Sequence, residues 1–300
     1  MNGQARRFGA SHLNLFLKKD IFMRPLSTLA LSALIPCLGA TSTALAQIAP
    51  TAEYEIVFDA TWSEETHPQD FPSNDHFSGL IGGTHNGDIL FWNLGELASP
   101  GIEQMAETGG KTLLTAEVQA EIALGNAGEV ISGPGIGAGI GTASDTFTAS
   151  LDFPYATVVS MIAPSPDWFV GVSGTLLLQD GQWANEIVIE LYPYDSGTDS
   201  GTTYTSPNQN TIPPELIFQI TGYPFLADDG MTVNPLGTFT FRRIGYCPQD
   251  INESGAIDTA DLLALLAAWG ESGDIPEDVN GDGVVNTADL LDLLAAWGAC

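Results

Sequence analysis

The chain has 300 residues, 44% of them hydrophobic, with 8 Lys and Arg against 37 Asp and Glu, a formal charge of −29. A disordered acidic chain would lack the apolar and aromatic residues present here, 6 Trp and 14 Phe among them, so length and composition point to about two packed domains. The charge excludes nucleic acid and anionic membrane surfaces as electrostatic partners, because neutralising phosphate takes Lys and Arg.

Residues 1–46 read as an N-terminal extension and signal peptide. Met23-Arg24 opens a short basic region, Leu26 to Leu38 is apolar, and Ala44-Leu45-Ala46 sets small residues ahead of a cleavage near Ala46-Gln47. Met23 is a candidate true start. The apolar run is too short, and too interrupted by Ser, Thr and Pro, to span a bilayer. Pro36 before Cys37 argues against lipidation of that cysteine. Cleavage would remove Arg6, Arg7, Lys18, Lys19 and Arg24. The expected product is a secreted or cell-surface chain with no transmembrane segment.

Residues 47–245 read as a β domain. Tyr54, Ile56, Phe58, Ala60 and Trp62 alternate with Glu55, Asp59 and Thr61, the period of a half-buried strand. Ile187, Ile189 and Leu191 alternate with Glu186, Val188 and Glu190, and Thr238 to Arg242 repeats the pattern. Clusters of Gly, Pro, Asn, Asp and Ser separate these runs, so an antiparallel β-sandwich is expected. Helical patterning is weak outside Thr115 to Leu124. Ser132 to Thr142 carries glycine at every second position from Gly135 to Gly141. A nucleotide loop would need a helix opening there, but Thr142 to Phe153 reads as strand, so the stretch is expected to be a flexible loop or hairpin connection.

Four stretches in this domain resemble a known family. They are Trp62-Ser63 with Thr66-His67-Pro68, then His76-Phe77-Ser78 with His85-Asn86, then Pro164 to Val172, and most specifically Leu191 to Gly201. In this order and spacing they resemble the spondin domain of extracellular matrix proteins, over roughly Ala52 to Ile244. The resemblance implies a C2-like β-sandwich, one calcium ion held by loop aspartates, and an adhesion or matrix role. The residues agree with it. Asp167 follows Pro-Ser-Pro, which fixes an extended, turned backbone, and Asp195 and Asp199 flank Ser-Gly-Thr. Three carboxylates from two loops make an oxygen-rich site of the calcium type, and would repel one another without a cation. Otherwise they are turn residues bonding their own backbone. His67, His76 and His85 recur at nine-residue spacing but lack a companion His-x-x-x-His or Cys set, and are read as structural.

At Gly245 the composition changes. Residues 247–300 hold 11 acidic residues and no basic one. Leu262 to Gly270 recurs as Leu290 to Gly298, 28 residues later. Before each helix-like run lies a calcium-loop pattern. Calcium takes about six to eight oxygens, which an EF-hand-like loop of about 12 residues supplies around a turn glycine. In the first copy the ligands are Asp250, Asn252, Ser254, the Ala256 carbonyl, Asp258 and Asp261, with Gly255 at the turn. In the second they are Asp278, Asn280, Asp282, the Val284 carbonyl, Asn286 and Asp289, with Gly283 at the turn. Each helix is expected to end at its Trp-Gly. Cys247 and Cys300 bracket the segment, and in an exported protein such a pair suggests a disulfide closing it.

The final ligand is Asp rather than the EF-hand Glu, and no full helix precedes the first loop. Residues 247–300 therefore resemble a type I dockerin. That implies a small all-α module which folds around calcium and docks onto a cohesin-like or other surface protein. In that family the two residues before the last ligand carry partner choice, here Thr259-Ala260 and Thr287-Ala288, so the repeat would allow docking in two orientations. The terminal Cys pair departs from the common form.

Together these readings give a secreted, calcium-dependent adhesion or matrix-type binding protein with about three calcium sites. The spondin-like domain would recognise an extracellular protein or glycan. The alternatives are a dockerin-bearing polysaccharide hydrolase and a structural surface protein without specific ligand. Glu186 and Glu190 lie on the solvent side of a strand pattern, and no nucleophile elbow or His-Glu-x-x-His accompanies them, so an enzyme is not expected.

Overall fold

The computed structural model describes residues 48–300 except 180, 253 and 274. The expected signal peptide, its cleavage point and Met23 lie outside the described residues. In chain order the elements are β1 (Thr51–Thr61), β2 (His76–Phe77), β3 (Ile81–His85), α1 (Pro100–Thr108), α2 (Thr112–Leu124), β4 (Ala127–Ile131), β5 (Ile140–Ser150), β6 (Tyr155–Ala163), β7 (Trp168–Leu176), β8 (Leu178–Gln179), β9 (Gln182–Trp183) and β10 (Glu186–Leu191). There follow β11 (Tyr194–Asp195), β12 (Phe218–Gln219), β13 (Gly237–Ile244), β14 (Ala256–Ile257), α3 (Thr259–Ala267), α4 (Thr287–Ala295) and β15 (Gly298–Ala299).

Two antiparallel sheets face each other. The first has the order β10-β13-β1-β5, and the second β12-β11-β7-β6-β3-β4 with β2 paired to β6. The alternation in β1 sends Tyr54, Ile56, Phe58 and Ala60 into the interface, against Phe239 and Phe241 of β13 and Val158, Ile162, Trp168 and Val170 of the second sheet. Each fully buried aromatic or aliphatic side chain there contributes about 1.5–3 kcal/mol. Glu186 and Glu190 are exposed on β10, as its alternation predicts.

A third layer covers the back of the second sheet. Ile102, Met105 and Ala106 of α1 and Leu114 and Val118 of α2 pack on Ile81, Val159, Met161 and Phe169. Strand β6 is therefore buried on both faces. Helix α1 departs from the β expectation. Its ends carry ordinary signals: Ser99 caps the amide of Ile102, Pro100 opens the helix, and Gly109 closes it at φ 68°.

The glycine-rich stretch is neither hairpin nor free loop. It carries the chain from β4 in one sheet to β5 in the other, and Ile136 bridges Phe77 on the way. A Cβ on Gly135 would meet the Phe77 carbonyl at 2.6 Å, so glycine is required by the close backbone approach.

The C-terminal segment has its own apolar cluster, Ile251, Ile257, Leu265, Ala268, Val285 and Leu293. Its two helices are flanked by a small strand pair, β14 with β15 as Ala256↔Ala299 and Ile257↔Gly298, and Ser272 between them bridges Val284. The segment is thus not wholly helical. The helices also stop short of the expected Trp-Gly. α3 closes at Ala268 and α4 at Ala296. Gly270 instead turns at φ 84°, and its amide donates to the Val285 carbonyl. Cys247 and Cys300 form the disulfide, with Cα atoms 5.8 Å apart.

Candidate metal centres

At one end of the sandwich the Pro164-Ser165-Pro166 turn delivers Asp167 to the start of β7. Asp195 ends β11, where it pairs with Trp168. The chain then turns through Gly197 at φ 75°, where a Cβ would meet the Glu215 carbonyl at 2.4 Å. Asp199 is held by its bridge to Asn210.

Asp167 is fully buried. Its Oδ2 accepts from the Ser196 hydroxyl at 2.9 Å and from the amides of Thr198 and Asp199 at 2.8 and 3.1 Å. Its Oδ1 has no hydrogen-bond partner. Asp195 accepts from the Gly197 amide at 2.8 Å and the Trp168 indole at 3.1 Å. Asp199 accepts from the amides of Gly201 and Gln209, both at 2.7 Å. Burial pushes the Asp167 carboxyl up, against the hydrogen bonds that favour its charge. Burial and then the charge of Asp167 push Asp195 up as well.

The structure brings Asp167, Asp195 and Asp199 to the same end of the sandwich, more loosely than a closed cage. Among the described residues, only Asp278, Asp282 and Asp289 form a trio of acidic, His or Cys side chains whose ligand atoms all lie within 4.8 Å of one another.

That trio belongs to the second C-terminal loop. Asp278 accepts from the amides of Asp282 and Gly283 at 3.1 and 2.7 Å. Asp289 accepts from those of Asn280 and Asn286 at 3.1 and 2.7 Å, closing a capping box on α4 with Asn286. Burial raises the Asp289 carboxyl, but the amide bonds from Asn286 and Asn280, with others, outweigh it and hold the group below the usual carboxylate range. The Asn286 side-chain amide donates to the Val284 carbonyl at 2.8 Å.

The first loop repeats the scaffold. Asp250 accepts from Ser254 and Gly255 at 2.9 and 2.6 Å, and Asp261 from Asn252 and Asp258 at 3.1 and 2.8 Å. Asp258 caps α3 through the Ala260 amide. The Ser254 hydroxyl donates to the Ala256 carbonyl at 3.2 Å. Ser254 stands where the second loop has Asp282, and Asp258 where it has Asn286, so each loop carries three acidic candidate ligands in a different arrangement. Gly255 and Gly283 turn at φ 89° and 94°, the left-handed geometry such loops demand.

The histidines stand apart from these clusters and from one another. His67 bonds the Asn234 carbonyl, His76 the Asn74 carbonyl, and His85 the Asn86 carbonyl and the Thr157 hydroxyl.

One acidic residue near the sandwich site carries no local sequence signal. Glu107, on α1, is raised by burial first and then, besides a lowering bond from Thr198, by the charges of Glu103, Asp167 and Asp199. Only the packing of α1 against the second sheet brings it there.

The family model described as Spondin_N matches residues 52–228. The chain belongs to the Spondin_N family. It is 33% identical over 227 residues to Spondin-2 of Rattus norvegicus, covering 71% of this chain and 67% of that protein. It is 36% identical over 201 residues to Spondin-2 of Homo sapiens, covering 66% and 59%. With Spondin-1 of Gallus gallus it shares 33% identity over 218 residues, 67% of this chain but 27% of the relative. Spondins are secreted, non-enzymatic extracellular matrix proteins. All the sandwich carboxylates fall inside the Spondin_N match, whereas the C-terminal loops lie beyond it. No described helix is long and apolar enough to cross a membrane.

Proposed function

We propose that this chain is a secreted, calcium-binding adhesion or matrix protein. Its sandwich loops present a calcium-dependent recognition face to an extracellular protein or glycan, and its C-terminal loops form a dockerin-like tether for a cohesin-like or other surface protein. The observation that carries the reading is the bare Oδ1 of fully buried Asp167 beside Asp195 and Asp199. A buried carboxylate oxygen without a partner is costly unless a cation meets it. Calcium, a hard cation that takes oxygen ligands in variable geometry, suits that donor set and that of each C-terminal loop.

The tether reading draws on the repeat. Leu263 is 66% exposed and Leu291, 28 residues on, 61% exposed. Leu266 and Trp269, with their counterparts Leu294 and Trp297, are also exposed, giving two equivalent apolar faces beside Thr259-Ala260 and Thr287-Ala288. Equivalent faces would let a partner dock in two orientations.

Calorimetric titration of calcium into the demetallated chain tests both parts. About three ions are expected, with Asp167→Ala removing the sandwich site and Asp282→Ala weakening the second loop. An Asp167→Ala protein that binds as the parent does would remove the calcium-dependent face. An absence of binding altogether would remove the whole reading.

A further inference from the structure

Two buried carboxylate oxygens near the sandwich site lack hydrogen-bond partners, Asp167 Oδ1 and Glu107 Oε1. Glu107 comes from the last turn of α1, a turn with no basic residue. A carboxylate there faces the negative end of the helix dipole. Thr198, whose amide donates to Asp167 Oδ2 at 2.8 Å, also bonds the Glu107 carboxylate, which sets that carboxylate beside the aspartates and within the charges of Glu103, Asp167 and Asp199.

Among the described residues no cationic side chain offsets this gathering. The described Lys and Arg side chains are engaged elsewhere: Lys111 with Ser132 and Gly133, Arg242 with Glu55, and Arg243 over the Tyr246 ring. Asp195 and Asp199 each accept only from an indole or from backbone amides, and every such oxygen retains a free lone pair. Helix, β7 loop and β11 loop thus converge their acids with no counter-charge of their own.

We propose that Glu107 is a further carboxylate ligand of the sandwich cation site, joining Asp167, Asp195 and Asp199 and tying α1 to the bound divalent ion. The inference rests on the calcium reading of those three aspartates. Its consequence is that cation binding organises the helical layer as well as the loops. Glu107 Oε1 and Asp167 Oδ1 supply anionic oxygens that hydrogen bonds have not already taken, and water completes a shell of about six to eight.

The test is calcium calorimetry on the full chain, parent against Asp167→Asn, Glu107→Gln and Glu107→Asp, with amide hydrogen exchange of Pro100–Thr108 followed with and without calcium. Asp167→Asn identifies the sandwich binding event by removing it. Glu107→Gln is expected to weaken that same event on the order of tenfold or more and leave the C-terminal events unchanged, since charge count tunes calcium affinity. Glu107→Asp, which keeps the charge and shortens the reach, should fall between. Calcium should slow exchange in α1 of the parent and not of Glu107→Gln. If Asp167→Asn abolishes the event while both Glu107 variants keep parental affinity and α1 protection, the inference is overturned and the calcium reading stands. If Asp167→Asn changes nothing, the calcium reading falls and takes the inference with it.

Discussion

The indole of Trp168 donates to Asp195 Oδ2 at 3.1 Å, across the pairing of β7 with β11. The same ring packs edge-on against Tyr204 and Phe225, with centroids 5.4 and 5.3 Å away. One side chain therefore belongs both to the core and to the carboxylate cluster. Trp168→Phe keeps most of the packing and deletes the donor. It should cost about 0.5–1.5 kcal/mol beyond the lost area. A double-mutant cycle with Asp195→Asn, read by denaturant unfolding at fixed calcium, should give a non-zero coupling energy. Strict additivity would mean the bond contributes nothing.

The two C-terminal loops should respond unequally to chelation. The second gathers three carboxylates within 4.8 Å and the first does not. The second loop should hold its ion more tightly, so chelator should loosen α3 before α4, followed by residue-resolved hydrogen exchange. Asp289→Ala should cost more than Asp282→Ala even without metal. Asp289 is buried, and its carboxylate closes the capping box, worth about 1 kcal/mol, whereas Asp282 is exposed. Equal effects would contradict the assigned roles.

Histidine sets a pH dependence separate from calcium. His85 Nδ1 donates to the Asn86 carbonyl at 2.6 Å, so the neutral ring that burial favours carries its proton there and Nε2 faces the Thr157 hydroxyl at 2.8 Å. Burial lowers the pKa of both His85 and His67 from 6.5. The unfolded chain then takes up protons below that value before the folded one does. Stability is complete above it and falls as pH drops from about 6.5 towards the lowered folded values. Between pH 7 and 5 stability should fall as the unfolded chain protonates first. Denaturant unfolding should show a flatter slope for His85→Gln over this range; an unchanged slope would assign the effect elsewhere.

Phe58 anchors the inter-sheet core, edge-on to Phe77 at 4.8 Å and to Phe239 at 5.1 Å. Phe58→Ala should cost about 3–5 kcal/mol in equilibrium unfolding. A loss below about 1 kcal/mol would show that the sheets close over the gap.

The two-sheet fold was legible where a strand has one wet face. In β1 and β13 the apolar residues Tyr54, Ile56, Phe239 and Phe241 point inward and polar neighbours point out. Strand β6 is covered on both faces, so Tyr155 to Ala163 shows no alternation and gives no hint of the helical layer behind it. The same gap hid α1, whose core face comprises Gly101, Ile102, Met105 and Ala106. The C-terminal loops were readable because their candidate ligands are close in sequence and the pattern occurs twice. Asp167, Asp195 and Asp199 could be named only through the family pattern. Glu107 could not be named at all, because its place depends on tertiary packing.

The Cys247–Cys300 bond ties together the ends of the repeat segment, 53 residues apart in sequence. A protease that nicks any loop between them leaves two fragments still on one covalent thread. Such a nick changes the mass seen on a gel only after reduction, so damage to the repeat segment would not by itself shed it from the sandwich.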